Sequence, residues 1–543
     1  MHAAVQLANI PHLVDLVCDN LITRDIYRST IVCRDFYLGF SRNIFNSINI
    51  QWRATFNKLT RHDTLKALSS QTGNIHSVST TFAEIFRVFV QAALPNPCPV
   101  PYPAIDPTAF HRLRTLKYIY PKESSYPKLL KNHKYLPSIL SVIESSPNLE
   151  SLHLGFFLFK EPDYIQRLMS AIRKKGRCLQ ELHFASEEYV GSEILRELLW
   201  SCAAVRRLDL SVRYYDLYRN LIGPKEARHL DKLAKEALSI GDGCKTEDIV
   251  FQWRQLVLPC DRSDYGVLAL VPVLRHCSLL EELKVPMVGA RYYSKLLQHF
   301  SPSVLPKLCR VDFRYLSMFI PDLESSSSPN TYSILHSFGS LQSVVAWNSI
   351  STRRSGVFAD WLISNCFSTL ERLNISGCSQ FRSPHLQRIL CGCPMLKEVD
   401  ALNKDRRPNR GFDLTWPLLD LYDIKDSKEE GDGEWACLGL EVLQLCYTER
   451  GATVAIPAAL YKQISRLKRI QVLRLMNAGT IGCGDNMIII KEERDSVRKA
   501  VKEWSCLSDL RELRLLGLKP YVPEEYIKER RKQWAKLERL YYD

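Results

Sequence analysis

The stretch that most constrains this chain runs from Leu370 to Asp400 and reads LERLNISGCSQFRSPHLQRILCGCPMLKEVD. Leu370, Leu373 and Ile375 stand in the L-x-x-L-x-L phase of a short buried strand. Leu386, Ile389, Leu390 and Cys393 follow at i, i+3, i+4 and i+7, the spacing of one apolar helix face. Cys393-Pro394 then stops the helix, and Leu396, Val399 and Ala401 begin the strand phase again. A unit of strand, turn and helix this short cannot bury its own apolar face. It needs neighbours of the same kind.

The chain supplies them. The same triplet recurs at Leu113/Leu116/Tyr118, Leu149/Leu152/Leu154, Leu179/Leu182/Phe184, Val205/Leu208/Leu210 and, in degenerate form, Trp253/Leu256/Leu258. It continues at Leu280/Leu283/Val285, Leu308/Val311/Phe313, Leu341/Val344/Ala346, Leu440/Leu443/Leu445, Ile470/Leu473/Leu475, Leu510/Leu513/Leu515 and Leu537/Leu540/Tyr542. Most adjacent copies lie 26 to 33 residues apart, with helical stripes such as Ile165/Leu168/Met169/Ile172 between them. This is a leucine-rich-repeat pattern, and it predicts an α/β solenoid over 110–543: a curved parallel sheet with outer helices. Longer gaps near 214–250, 402–436 and 477–493 read as insertions. The first is charged and partly helical, and the second carries the polar run KDSKEEGDGE.

Composition narrows the class. The chain has 543 residues, 46% of them hydrophobic, which is more core than one compact domain needs. The formal charge of +14 is spread over short basic runs, with no basic patch interleaved with aromatics of the kind that grips nucleic acid. MHAAVQLANIPHL lacks the basic and long apolar regions of an export signal, and no apolar run is long enough for a membrane span. The seventeen cysteines are therefore expected as reduced thiols. Those beside the motif (Cys178, Cys202, Cys277, Cys366, Cys391, Cys393 and Cys506) read as small buried apolar residues. The expected location is cytoplasmic and/or nuclear.

Residues 1–48 read as a separate helical unit. Ile10 to Leu21 opens with Pro11, suited to a first helical turn, and carries Leu13, Val14, Val17 and Leu21 on one stripe. Ile22-Thr23-Arg24-Asp25 breaks and re-caps it, a second short helix begins near Asp25, and a third runs through Ile31 to Phe36. Three short helices bury little surface alone, so the unit is expected to complete its core against a partner. Residues 49–109 read as a helical and proline-rich connector, ending in the extended run Pro95–Pro103.

The order Pro11, Leu13, Val17, Leu21, Asp25-Ile26, Val32-Cys33 and Phe36 resembles an F-box. His12 stands where an acidic residue is usual, and Phe36 and Phe45 stand for tryptophans. An F-box ahead of leucine-rich repeats is similar in architecture to the substrate-receptor subunits of SCF ubiquitin ligases. Gly377-Cys378, Cys393-Pro394 and Trp435-Ala-Cys437 look like the cysteine-containing, fungal-type branch. The resemblance implies an all-α F-box docking on the Skp adaptor, and through it on cullin, by Pro11, Leu13, Val17, Leu21, Ile26, Val32, Cys33 and Phe36. The repeats would then hold a target protein for ubiquitin-dependent degradation. A repeat scaffold with no ligase role is the alternative.

Strand side chains alternate, so the residues between motif leucines point to the open, concave face. Arg207, Arg310, Arg314, Trp347, Arg372, Arg474 and Arg514 are the candidate target-binding residues there. Arginine forks suit carboxylate or phosphate and tryptophan suits a hot spot, so an acidic or phosphorylated segment is the expected ligand. Glu181, Asp209, Glu398, Asp400 and Glu512 share that face. No nucleophile, base and acid fall into a catalytic motif, and the chain reads as a non-enzyme. Gly241 to Thr246 lacks the glycine before its lysine that a phosphate loop requires. Cys391-Gly-Cys393 has no matching pair at zinc spacing, so neither a cofactor nor a metal is expected.

Overall fold

The computed structural model describes residues 46–50, 72–94, 106, 109–119, 135–155, 162–215, 224–238, 249–257, 271–285, 303–313, 340–347, 352–378, 383–402, 418–420, 434–448, 458–477, 491–516 and 531–542. The chain divides into two compact units, Met1–Leu279 and Leu280–Asp543, taken in turn.

In the first unit the strands are β1 (Ser47–Ile50), β2 (Ser77–Thr80), β3 (Thr115–Tyr118), β4 (Ser151–Leu154), β5 (Glu181–Gly191), β6 (Arg207–Tyr215) and β7 (Gln255–Val257). Each pairs in parallel with the next. The register sets like on like: Ile48, Val78, Leu116, Leu152, Leu182, Leu208 and Leu256 form one row across the sheet. Every member of that row is buried. Helices α1 (Glu84–Ala93), α2 (Leu136–Glu144), α3 (Pro162–Lys175), α4 (Ser192–Ser201), α5 (Pro224–Leu238) and the single turn α6 (Val271–Leu274) lie between the strands in sequence. In α1, Phe86 meets Phe89 and the β3 residue Tyr118 edge-on, with ring centroids 6.3 and 5.9 Å apart.

The second unit repeats the scheme. Its strands are β8 (Glu282–Val285), β9 (Arg310–Phe313), β10 (Ser343–Trp347), β11 (Arg372–Gly377), β12 (Glu398–Asp400), β13 (Leu418–Asp420), β14 (Val442–Thr448), β15 (Val472–Asn477), β16 (Glu512–Leu516) and β17 (Arg539–Tyr542). Parallel pairing aligns Leu283, Val311, Val344, Leu373, Val399, Leu443, Leu473, Leu513 and Leu540 in one row. Among the described residues, strand β13 pairs with the far half of β14, at Cys446 to Thr448, past the end of the short β12. Helices α7 (Thr352–Cys366), α8 (Ser383–Gly392), α9 (Ala458–Ser465) and α10 (Lys491–Glu503) cover the apolar side. The α8 stripe is the expected one: Leu386, Ile389, Leu390 and Cys393 are all inaccessible to solvent.

A second device ties the repeats together. The carbonyl just before most of the strands accepts two N–H groups from the next repeat, as Gln342 does from Glu371 (2.8 Å) and Arg372 (3.0 Å). The same fork joins Asn46, His76, Arg114, Glu150, Gln180 and Arg206 to their successors, and Lys397, Glu441, Gln471 and Arg511 to theirs. Short strands thus leave few backbone groups unpaired where they enter the sheet. Indoles do similar work on the apolar side. Trp534 Nε1 donates to the Trp504 carbonyl (3.0 Å), and Trp504 Nε1 donates to that of Tyr461 (3.3 Å). Trp435 Nε1 reaches Gln387 Oε1 at 2.9 Å.

The expected α/β parallel repeat sheet is present, and each triplet from Leu113 onward places its middle residue in a strand. Its extent differs from expectation. Strands β1 and β2 lie N-terminal to residue 110, where the end of a helical unit and a connector of helices were expected; α1 is helical as read, and residues 51–71 of the connector lie outside the described residues. The second was hidden because Ile75/Val78/Thr80 carries threonine at its last apolar position. Thr80 is 1% exposed, and its hydroxyl is satisfied locally, donating to the Phe82 carbonyl (3.3 Å) and accepting from the Phe82 N–H (3.0 Å). Within the insertions, α5 occupies the first, β13 falls in the second, and the third ends inside α10. Residues 1–45, the body of the F-box-like segment, lie outside the described residues. No described helix is long and apolar enough to cross a membrane.

All described cysteines are free thiols. Cys202, Cys277, Cys366 and Cys393 are buried as expected. Cys178 and Cys506 are exposed instead, each at the end of a 3-10 turn, and Cys391, inside α8, is half-buried. Burial pushes the Cys366 thiol up to about 11 and the Cys393 and Cys437 thiols up to about 12, so these three stay protonated and unreactive.

Candidate binding face

The sheet face opposite the buried row carries two outward rows, one on each side of each central leucine. In the first unit the row between the leucines reads Lys117, His153, His183, Asp209 and Val257 from β3 to β7. The other row reads Thr115, Ser151, Glu181, Arg207 and Gln255. These side chains form a connected polar network. Arg207 donates to Glu181 (2.7 Å), Ser151 donates to the other Glu181 oxygen (3.3 Å), and His153 Nε2 stands 3.1 Å from Ser151 Oγ. His183 Nδ1 lies 2.9 Å from Asp209, and the His153 and His183 rings stack with centroids 5.5 Å apart. An open groove runs over His153, Glu181, His183, Arg207, Asp209 and Gln255.

The second unit's face is also paired. Lys284 meets Glu282 at 3.1 Å, and Arg310 lies 3.6 Å from Glu281 and 3.9 Å from Glu282. Arg372 meets Glu398 at 3.3 Å. Glu512, 6% exposed, sits between Arg474 (2.7 Å) and Arg539 (3.5 Å). Arg474 also donates to Gln444 at 3.0 Å. Arg514 lies over the Tyr541 ring, 5.5 Å from its centroid.

Of the residues picked from sequence for target binding, Arg207, Arg310, Arg372, Arg474 and Arg514 do stand on the outward rows. They are not a free arginine strip: all but Arg514 are matched by carboxylates of the adjacent strand or turn. Trp347 ends strand β10. Arg314 and the residues expected to dock on an adaptor, Pro11, Leu13, Val17, Leu21, Ile26, Val32, Cys33 and Phe36, lie outside the described residues. Lys117, Ser151, His153 and His183 were passed over in the sequence, although the same alternation places them on the face. Among the described residues no three His, Cys, Asp or Glu side chains are grouped to hold a metal ion. No family model matches the chain, and no curated protein matches it.

Proposed function

We propose that this chain is the target-binding subunit of an SCF-type ubiquitin ligase, an F-box/leucine-rich-repeat protein. Its N-terminal helices bind a Skp-type adaptor and, through it, cullin, while its repeats hold the target. The observation that supports the reading is the outward face of an unbroken parallel repeat ladder in each unit, joined to the F-box-like order from Pro11 to Phe36. A rigid row of partly exposed polar side chains at a fixed inter-strand spacing suits an extended protein segment. The chain's part in the reaction is then orientation and effective concentration, and the reacting groups belong to the enzymes it brings together.

The test is co-purification with the Skp adaptor. The deletion must stop at residue 45, because the Asn46 carbonyl accepts from His76 and Ser77 and Ser47 begins β1. Full-length chain is expected to retain the adaptor. Deletion of 1–45, or the pair Leu13→Asp and Val32→Asp, is expected to lose it while the repeats stay folded. A full-length chain that never retains the adaptor leaves the repeat scaffold without a ligase role as the correct reading.

A further inference from the structure

The patch on β3 to β6 differs from the rest of the outward face in carrying two stacked histidines, His153 and His183. Glu181 is engaged by Arg207 and Ser151, and Asp209 lies 2.9 Å from His183. Among the described residues no carboxylate pairs with Lys117, which is in register with His153 across β3 and β4. Asp209 and Val257 follow His183 in the same row, and Thr115 and Gln255 flank the other; none adds a cation.

We propose that an extended acidic protein segment docks here, with one carboxylate over Lys117, His153 and His183, and that it is taken up together with a proton on His153. The surface belongs to the repeats alone. The inference therefore rests on the reading that the repeats capture a protein segment, and does not need the adaptor.

The chemistry follows from the hydrogen bonds. The Ser151 hydroxyl hydrogen is committed to Glu181, so Ser151 accepts from His153 Nε2–H. The neutral ring then carries its lone pair on Nδ1, where a proton from solvent creates a second donor. In the free protein that protonation is disfavoured by burial, then by Lys117 and His183, with Glu181 and Asp209 acting weakly the other way. A bound carboxylate offsets Lys117 and accepts from the new donor, so its binding and the proton's are mutually favourable. Affinity must rise as pH falls toward 6.

The test uses the full chain and a fluorescein-labelled hexaglutamate peptide, titrated by anisotropy at pH 7.5 and 6.0 at constant ionic strength. Binding should tighten about tenfold at pH 6.0, the equivalent of one linked proton over most of that interval. His153→Gln should remove most of the gain and Lys117→Gln should weaken binding at both pH values, whereas Arg372→Gln should leave the pH dependence in place. All three sites are half-buried or exposed, and circular dichroism checks that each variant is folded. In histidine NMR spectra the His153 titration should move to higher pH when the peptide is added. Absence of binding at pH 6.0, or a pH gain retained in His153→Gln, overturns the proposal. Neither result bears on adaptor retention, so failure here is separable from failure of the ligase reading.

Discussion

Lys175 shows what one buried charge costs this fold. It ends α3, is 8% exposed, and its ammonium group donates to the Ser146 carbonyl. Burial is the main cause that pulls its proton affinity from the ordinary 10.5 down to about 8, against smaller opposing effects of Cys178 and Glu144. The sign follows directly. Below pH 8 lysine is charged in both folded and unfolded chains, and the folded state bears a desolvation cost of about 3 kcal/mol. Between pH 8 and 10.5 the folded chain gives up the proton first, so stability rises with pH. Lys175→Met should therefore stabilise the first unit at pH 7 by about 1–2 kcal/mol, after subtracting one lost hydrogen bond. The Ser146 carbonyl keeps the Leu149 N–H at 3.3 Å. Urea unfolding at pH 7 and pH 10 should show the variant's advantage shrinking at the higher pH. A constant advantage would mean that packing, and not the charge, sets the effect.

At the level of strands and helices, the buried row and the outward row should respond very differently to truncation. Leu473 is inaccessible and lies in register between Leu443 and Leu513. Leu473→Ala removes its contacts and leaves a cavity that the flanking repeats fill poorly, at a cost of about 2–5 kcal/mol. Arg372, more than half exposed and paired with Glu398, should cost under about 1 kcal/mol as Arg372→Ala. Equal losses in denaturant melts would contradict the assignment of the two rows. The same distinction explains what was legible beforehand. Leucine at i, i+3 and i+5 marks buried strands because no polar residue can replace it cheaply, and α8 was readable for the same reason. Strand β2 was not, since Thr80 buries a hydroxyl that its own turn satisfies. The sequence placed Glu181 and Glu512 on the same face as the arginines but did not show which pairs close, because the Arg207–Glu181 and Arg474–Glu512 pairs join residues 26 and 38 positions apart.

For the whole molecule, stability should accumulate locally. Each strand bonds only to its neighbours, and the carbonyl forks pass from one repeat to the next. A stack of this kind behaves as a one-dimensional chain, in which a weakened module lowers protection around itself and the effect fades along the array. The two units sharpen the expectation, since each carries its own buried row. In native-state hydrogen exchange, Leu473→Ala should speed exchange most in β14, β15 and β16, less in β11 and β12, and leave β3, β4 and β5 of the first unit unchanged. Leu152→Ala should give the reverse pattern. This matters for binding, because a face read by an extended ligand must keep its inter-strand spacing under local damage. The histidine patch on β4 and β5 should accordingly bind the acidic peptide unchanged in Leu473→Ala and poorly in Leu152→Ala. Uniform acceleration of exchange in both units, from either substitution, would show instead that the chain unfolds as a single cooperative body.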